Sequence, residues 1–168
     1  MKIKRVFETF VLLQLLTHLG AQENIVINEL QVWPVNDTYG EAFSEYIELT
    51  NAGTVTTSLE GWTIQTNSGS AVITGVTVAP DSFAILAISI NSNLNLGLDV
   101  DYAWGFGAGV ELTNTSDNIS LFDAGGSLAD SVSYDNSTWP IEQGKSMELI
   151  NTLYDNNDPS KWQAGSVA

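Results

Sequence analysis

Carboxylates are the abundant reactive groups of this chain, with twenty Asp and Glu set against five Lys and Arg, one His and no Cys. The single histidine, His18, lies in an apolar N-terminal run, so residues 22–168 carry neither imidazole nor thiol. That excludes Ser-His-Asp and Cys-His nucleophilic catalysis, thiolate metal sites and the usual zinc sites. Glycoside cleavage remains conceivable in principle, because it needs only two carboxyl groups a few ångströms apart. Glu45 and Glu48, however, stand at odd spacing in a strand-like stretch and therefore face opposite ways. Asp99 and Asp101 do share a face, but a chain this acidic brings some carboxylates together by chance, and no enzymatic activity is expected.

Calcium suits the remaining oxygen-rich stretches better. Asp99 and Asp101, Asp117 with Asn118, and the run from Asp155 through Asn156 and Asn157 to Asp158 all read as loops bearing hard-cation ligands. None has the spacing of a twelve-residue calcium loop: Asp99-Val100-Asp101-Tyr102 lacks the third ligand and the sixth-position glycine. The same residues form turns through their own side chains, and turn chemistry is the first expectation. Aromatic residues offer a different chemistry, stacking on sugars. Trp104 and Phe106 are interleaved with Gly105 and Gly107 in an irregular Asn- and Gly-rich stretch over 91–108, and both are expected to be partly exposed there. In that place they either bind a polysaccharide or close one end of the fold. Trp62, two residues from Ile64, belongs instead to the core.

These groups must be carried on strands, because helical periodicity is nearly absent after Glu23. Residues 25–32 form a first strand with a parity shift near Asn28-Glu29 that marks a bulge. Ile47 and Leu49 alternate with Tyr46, Glu48 and Thr50 in a second, and residues 61–64 begin a third with Trp62 and Ile64 on one face. Short strands around Gly75, a continuous apolar run over 83–90, a brief strand at 110–112, a hairpin over 118–134 and a last strand at 146–150 follow. The sum is an all-β, immunoglobulin-like sandwich of about nine short, mostly antiparallel strands.

Six segments, in order, carry a family resemblance: Ile27-Asn28-Glu29-Leu30; Glu45-Tyr46-Ile47-Glu48-Leu49-Thr50-Asn51; Leu59-Glu60-Gly61-Trp62-Thr63-Ile64; Leu121-Phe122-Asp123; Asp130-Ser131-Val132-Ser133-Tyr134; and Ser146-Met147-Glu148-Leu149 followed by Asp158-Pro159 and Trp162. The chain resembles the lamin tail domain over roughly residues 23–163, with Glu29, Glu48, Leu49 and Trp62 as markers of the likeness. The resemblance implies an immunoglobulin-like module without catalysis, of the kind found in secreted bacterial proteins. Nuclear lamins add a coiled-coil rod and a basic import cluster, which this sequence lacks, so filament and nuclear roles are not carried over.

The N-terminus has Lys2, Lys4 and Arg5, then an apolar run too short and too polar to span a bilayer, then Gly20-Ala21. Residues 1–21 read as a secretory signal peptide and residues 23–168 as the lamin-tail-like domain. Removal of residues 1–21 leaves two lysines against nineteen acids, a formal charge of 2 − 19 = −17. Such a surface repels nucleic-acid phosphates and anionic membranes. The expectation is therefore a secreted, periplasmic or cell-surface bacterial module with an unidentified protein or polysaccharide partner, no cofactor beyond a possible calcium ion, and no transmembrane span. A carbohydrate-binding module using the 91–108 loop and a calcium-stabilised adhesin-like domain are the alternatives.

Overall fold

Apolar alternation dictates the first strand and its defect. Ile25 and Ile27 must face the core, and so must Leu30 and Val32, yet an odd step separates the two pairs. The chain resolves the conflict with a bulge. In the computed structural model, which describes residues 23–35, 41–95 and 97–165, strand β1 (Ile25–Gln31) pairs with β2 (Tyr46–Asn51) and shifts register between Ile27 and Glu29. Asn28 is the extra residue, and all four apolar side chains are buried. The expected signal peptide lies outside the described residues.

Twelve strands are found among the described residues, against the nine expected, because several of them are only two or three residues long. β1 and β2 lie at the centre of a six-stranded sheet. Along it run β12 (Trp162–Ala164), β11 (Met147–Leu149), β1, β2, β7 (Phe83–Ala87) and β8 (Tyr102–Ala103). A four-stranded sheet runs β10 (Leu128–Asp135), β9 (Ser116–Phe122), β4 (Thr63–Gln65) and β5 (Ser70–Val72), and β3 (Thr57–Ser58) pairs with β6 (Thr77–Val78) alone. Every pairing is antiparallel except β7 with β8. The immunoglobulin-like all-β sandwich read from the sequence is thus the architecture found.

Between the sheets, Ile27, Leu30, Ile47, Leu49 and Leu86 of one face meet Ile64, Ile119, Leu121 and Val132 of the other, and all are essentially inaccessible to solvent. Each such side chain contributes about 1.5–3 kcal/mol by leaving water. Trp139 packs between Tyr134 and Trp162, at ring-centroid distances of 6.5 and 5.4 Å. Trp62 is buried in the same core.

Two expectations needed correction. Residues 110–112 form no ladder: Val110 and Leu112 are buried, but the Leu112 N–H donates to Glu45 Oε2 at 2.9 Å, so a side chain replaces the partner strand. The short strands expected around Gly75 are both present and lie apart: β5 forms an edge of the four-stranded sheet, while β6 pairs with β3. Gly75 has a φ of 74°, a left-handed conformation suited to glycine at that crossing. The C-terminal stretch, read only as turn residues and Trp162, supplies β12 and so completes an edge of the large sheet. The expected bulge and the 118–134 hairpin are both present, the latter closed by Asp123 accepting from the N–H groups of Gly125 and Ser127.

Candidate functional site

The outer face of the large sheet gathers the groups with most chemical potential. Leu30, Ile47 and Met147 point inward from neighbouring positions, so the residues one step away on each strand must point out. Glu29 stands directly opposite Glu48 on one side and Glu148 on the other, giving a row of three glutamates across β11, β1 and β2. Like charges placed directly opposite one another destabilise a sheet. Asn28 Nδ2 donates to Glu48 Oε1 at 2.5 Å, and the Tyr46 hydroxyl donates to Glu29 Oε1. Burial, followed by the charge of Glu29, pushes Glu48 above the ordinary glutamate range, while the bond from Asn28 opposes the shift. Burial together with the Glu29 carboxylate pushes the Tyr46 hydroxyl far above its usual value.

Among the described residues no lysine answers this row. Lys145 pairs with Glu142 at 2.6 Å and Lys161 with Asp158 at 3.8 Å. Nor does the row close round an ion, since among the described residues no group of three or more His, Cys, Asp or Glu could hold a metal. The sequence singled out Glu29 and Glu48 as family markers, weighed Glu48 otherwise only against Glu45, and did not connect Glu148 with them. Strand parity showed that each points outward, but alignment of three distant strands was needed to make a row.

The proposed calcium ligands do not come together. Asp101 Oδ2 accepts from the Ile85 N–H at 2.8 Å, tying the loop to β7, while Asp99 is exposed. Asp155 Oδ1 accepts from the Asn157 N–H at 3.0 Å, and Asp158 caps the short 3-10 helix Pro159–Lys161 by accepting from Ser160 N–H at 2.9 Å. Hydrogen bonds from the Ser160 side chain and backbone hold Asp158 below the ordinary aspartate range. Asp117 accepts from Asn67 N–H and from its own neighbour Asn118. Asp101, Asp117, Asp155 and Asp158 thus serve turn or backbone chemistry, and Asp117 with Asn118 lies within β9 and not in the loop expected.

Trp104 and Phe106 separate completely. After Asp101 the chain follows β7 in parallel, with the N–H groups of Trp104 and Gly105 donating to the carbonyls of Ala87 and Ile88. Tyr102 therefore spans the edges of the two sheets, its hydroxyl donating to the Val72 carbonyl of β5 at 2.8 Å. Trp104 is only 7% exposed and belongs to the core cluster, which corrects the expectation of a partly exposed stacking surface. Phe106 is 64% exposed and rests on Phe43 at 4.8 Å between ring centroids. A lone exposed ring remains of the expected pair.

The loop bearing Phe106 is seated on the turn between β4 and β5. A Cβ at Gly69 would lie 2.5 Å from the Ala108 carbonyl oxygen and 2.6 Å from the Gly109 carbonyl carbon. Both contacts are with backbone and cannot be relieved by a side-chain rotation. Gly69→Ala should therefore lower stability by about 1–3 kcal/mol, read as a drop in the thermal midpoint, with the 105–109 loop displaced. An unchanged midpoint would mean that the loop is not held against this turn.

Asp130 makes the main polar link between the sheets. From β10 its Oδ2 accepts from the Ile27 N–H at 2.7 Å, at the β1 bulge, and from Asn156 Nδ2 at 2.8 Å. Asn156 also donates to the Ile27 carbonyl, and its own carbonyl accepts from Trp162 Nε1 at 2.9 Å. The bulge frees backbone groups that the ladder no longer pairs, and this network satisfies them.

No curated protein matches the chain. A family model described as Lamin Tail Domain matches residues 19–136, more than half of the sequence and all of the sandwich through β10. β11 and β12 lie beyond that match, yet they complete the same sheet and bring Glu148 beside Glu29. The ordered motifs, the immunoglobulin-like sandwich and the family match agree: the chain belongs to the lamin tail domain family.

Proposed function

We propose that this protein is a secreted or cell-surface structural and interaction module with no catalysis of its own. The observation that carries the reading is the lamin tail match over the sandwich, a fold whose use here depends on its surfaces. The sequence supports it further: residues 22–168 lack the His and Cys that most hydrolytic sites use, and residues 1–21 have the order of a signal peptide. The strongly acidic surface suits a soluble extracytoplasmic domain and disfavours nucleic acid as a partner.

The test is expression of the full chain in a secreting bacterial host, with the exported product analysed by mass spectrometry. The expected product lacks about 21 N-terminal residues and turns over none of a panel of glycoside, phosphoester and peptide substrates. An intact chain retained in the cytoplasm would overturn the secreted assignment. Turnover that disappears on substituting one carboxylate pair would overturn the non-catalytic one.

A further inference from the structure

β10 is an edge of the four-stranded sheet, and an edge strand presents a row of peptide groups ready to pair with another chain. At 8 residues it is also the longest strand among the described residues, so its edge is not made harmless by shortness. Its register with β9 shows which groups are at stake. The Asn136 N–H donates to the Thr115 carbonyl at 2.7 Å, one step beyond the pair formed by Asp135 and Ser116. Hydrogen-bonded pairs alternate along an antiparallel ladder. Val132 and Tyr134 therefore turn their peptide groups toward β9, while Ser131, Ser133 and Asp135 turn theirs outward.

Most of that outward row is occupied from within the protein. The Ser131 N–H donates to its neighbour Asp130 Oδ1 at 2.9 Å, and the Asp135 carbonyl accepts from the Trp139 N–H at 3.1 Å. Between these points a single side chain from a distant turn stands where an added strand would lie. Asn157 Oδ1 accepts from the Ser133 N–H at 2.9 Å, and Asn157 Nδ2 donates to the Ser131 carbonyl at 2.8 Å. Asn157 is exposed, so burial does not hold it there. Its neighbours do. Asn156 is buried and bonded to Ile27 and Asp130, and the Asn157 N–H donates to Asp155 Oδ1 at 3.0 Å. The amide thus reaches β10 from a turn that is already fixed, which limits the entropy lost in holding it. At the opposite edge of the sheet, the Val72 carbonyl of β5 is bonded by the Tyr102 hydroxyl.

The strand also indicates what is kept away. A second copy of β10, laid antiparallel about Ser133, would set Ser133 opposite Ser133 of the other copy, Ser131 opposite Asp135, and Val132 opposite Tyr134. Ser131, Ser133 and Asp135 would then all meet in hydrogen-bonded positions, and no acid would face an acid in spite of the strongly acidic composition. Such a pairing is isologous and closes on itself.

We propose that Asn157 guards the edge of β10: it keeps the chain from pairing with a second copy of itself, and release of the 155–158 turn opens that interface. The guard concerns self-association alone and does not depend on export or on the absence of catalysis.

The test is sedimentation velocity of the full chain over about 10 μM to 1 mM, the range in which open strand edges associate. Salt of about 150 mM screens the repulsion between acidic copies. Wild type should remain monomeric. Asn157→Ala should associate about tenfold more tightly or better, because the bonds to Ser131 and Ser133 become available to another strand. Adding Ser133→Pro to that variant removes the outward N–H at the centre of the pairing, a change that an edge strand tolerates, and should restore the monomer. A folded Asn157→Ala that stays monomeric would overturn the proposal. So would a wild type that associates equally well, or association that survives Ser133→Pro. Circular dichroism checks that each variant is folded. Should Asn157→Ala unfold, Asn157→Ser, also too short to bridge both groups, is measured with the same expectation. Should Ser133→Pro unfold, Ser133→Lys replaces it, since it sets like charges directly opposite each other in the paired copies.

Discussion

Replacing Trp104 by Ala is expected to lower the stability of the domain by about 3–5 kcal/mol, the range for deleting a large buried aromatic side chain. Domains of this kind are stable by only about 5–15 kcal/mol, so the variant should be close to unfolding at physiological temperature. The cause is location. Trp104 is buried in the hydrophobic core, and its backbone N–H donates to Ala87 at 3.0 Å. Its indole Nε1–H is buried without an acceptor. Trp104→Phe therefore removes an unsatisfied donor while keeping most of the packing, and should cost much less than the alanine change. Urea unfolding followed by far-ultraviolet circular dichroism measures both. An alanine variant as stable as wild type, with a lost polysaccharide affinity, would return Trp104 to the role of a sugar platform.

A second large effect is expected at Asp130. Asp130→Ala leaves the Ile27 N–H at the bulge and the Asn156 side chain without their shared acceptor. An unsatisfied buried donor costs about 1–3 kcal/mol, and the lost bonds here were to a carboxylate, so a loss of about 2–3 kcal/mol is expected. Because Asn156 also holds Trp162, β12 should loosen first, visible as faster amide exchange over 162–164 than in β9. Uniform exchange across both strands would show that the link is not local.

The same residue gives the pH dependence a definite sign. Burial pushes Asp130 above the ordinary aspartate value, partly opposed by its bonds to Ile27, Asn156 and Ser131. Glu48 is raised as well, by burial and then by its neighbouring glutamates against the bond from Asn28. A carboxyl whose folded value is raised binds more protons folded than unfolded, so its stabilising contribution is complete below the unfolded value and is lost as pH rises through the folded one. Stability should therefore increase on acidification from pH 7 to about 5, and relief of the net negative charge acts in the same direction. Asp130→Asn should flatten this rise without abolishing it, because Glu48 remains. A midpoint that falls steadily from pH 7 to pH 5 would contradict the assignment for both groups.

How much of this was legible beforehand can be followed residue by residue. The inward positions Ile47, Leu49, Trp62 and Ile64 were readable because strand alternation is local. The bulge at Asn28 was readable for the same reason, since two inward pairs at odd separation admit few other solutions. The hairpin over 118–134 announced itself through Asp123 and two glycines. Trp104 was misplaced because glycine neighbours suggest an exposed loop, whereas the burial of Trp104 depends on tertiary packing. β12 went unread because three residues carry too little periodicity, and it forms only because β11 offers an edge.

The sequence by itself determined the fold class, the inward face of the longer strands, the family and the lack of imidazole and thiol chemistry after residue 21. These depend on composition and on neighbours a few positions apart. Only the tertiary structure decided that Glu29, Glu48 and Glu148 form a row, and that Asp130 reaches the Ile27 backbone across 103 residues of chain. It likewise decided that Trp104 is core while Phe106 is surface. Those facts follow from register between distant strands, where a shift of one residue would turn every side chain to the other face.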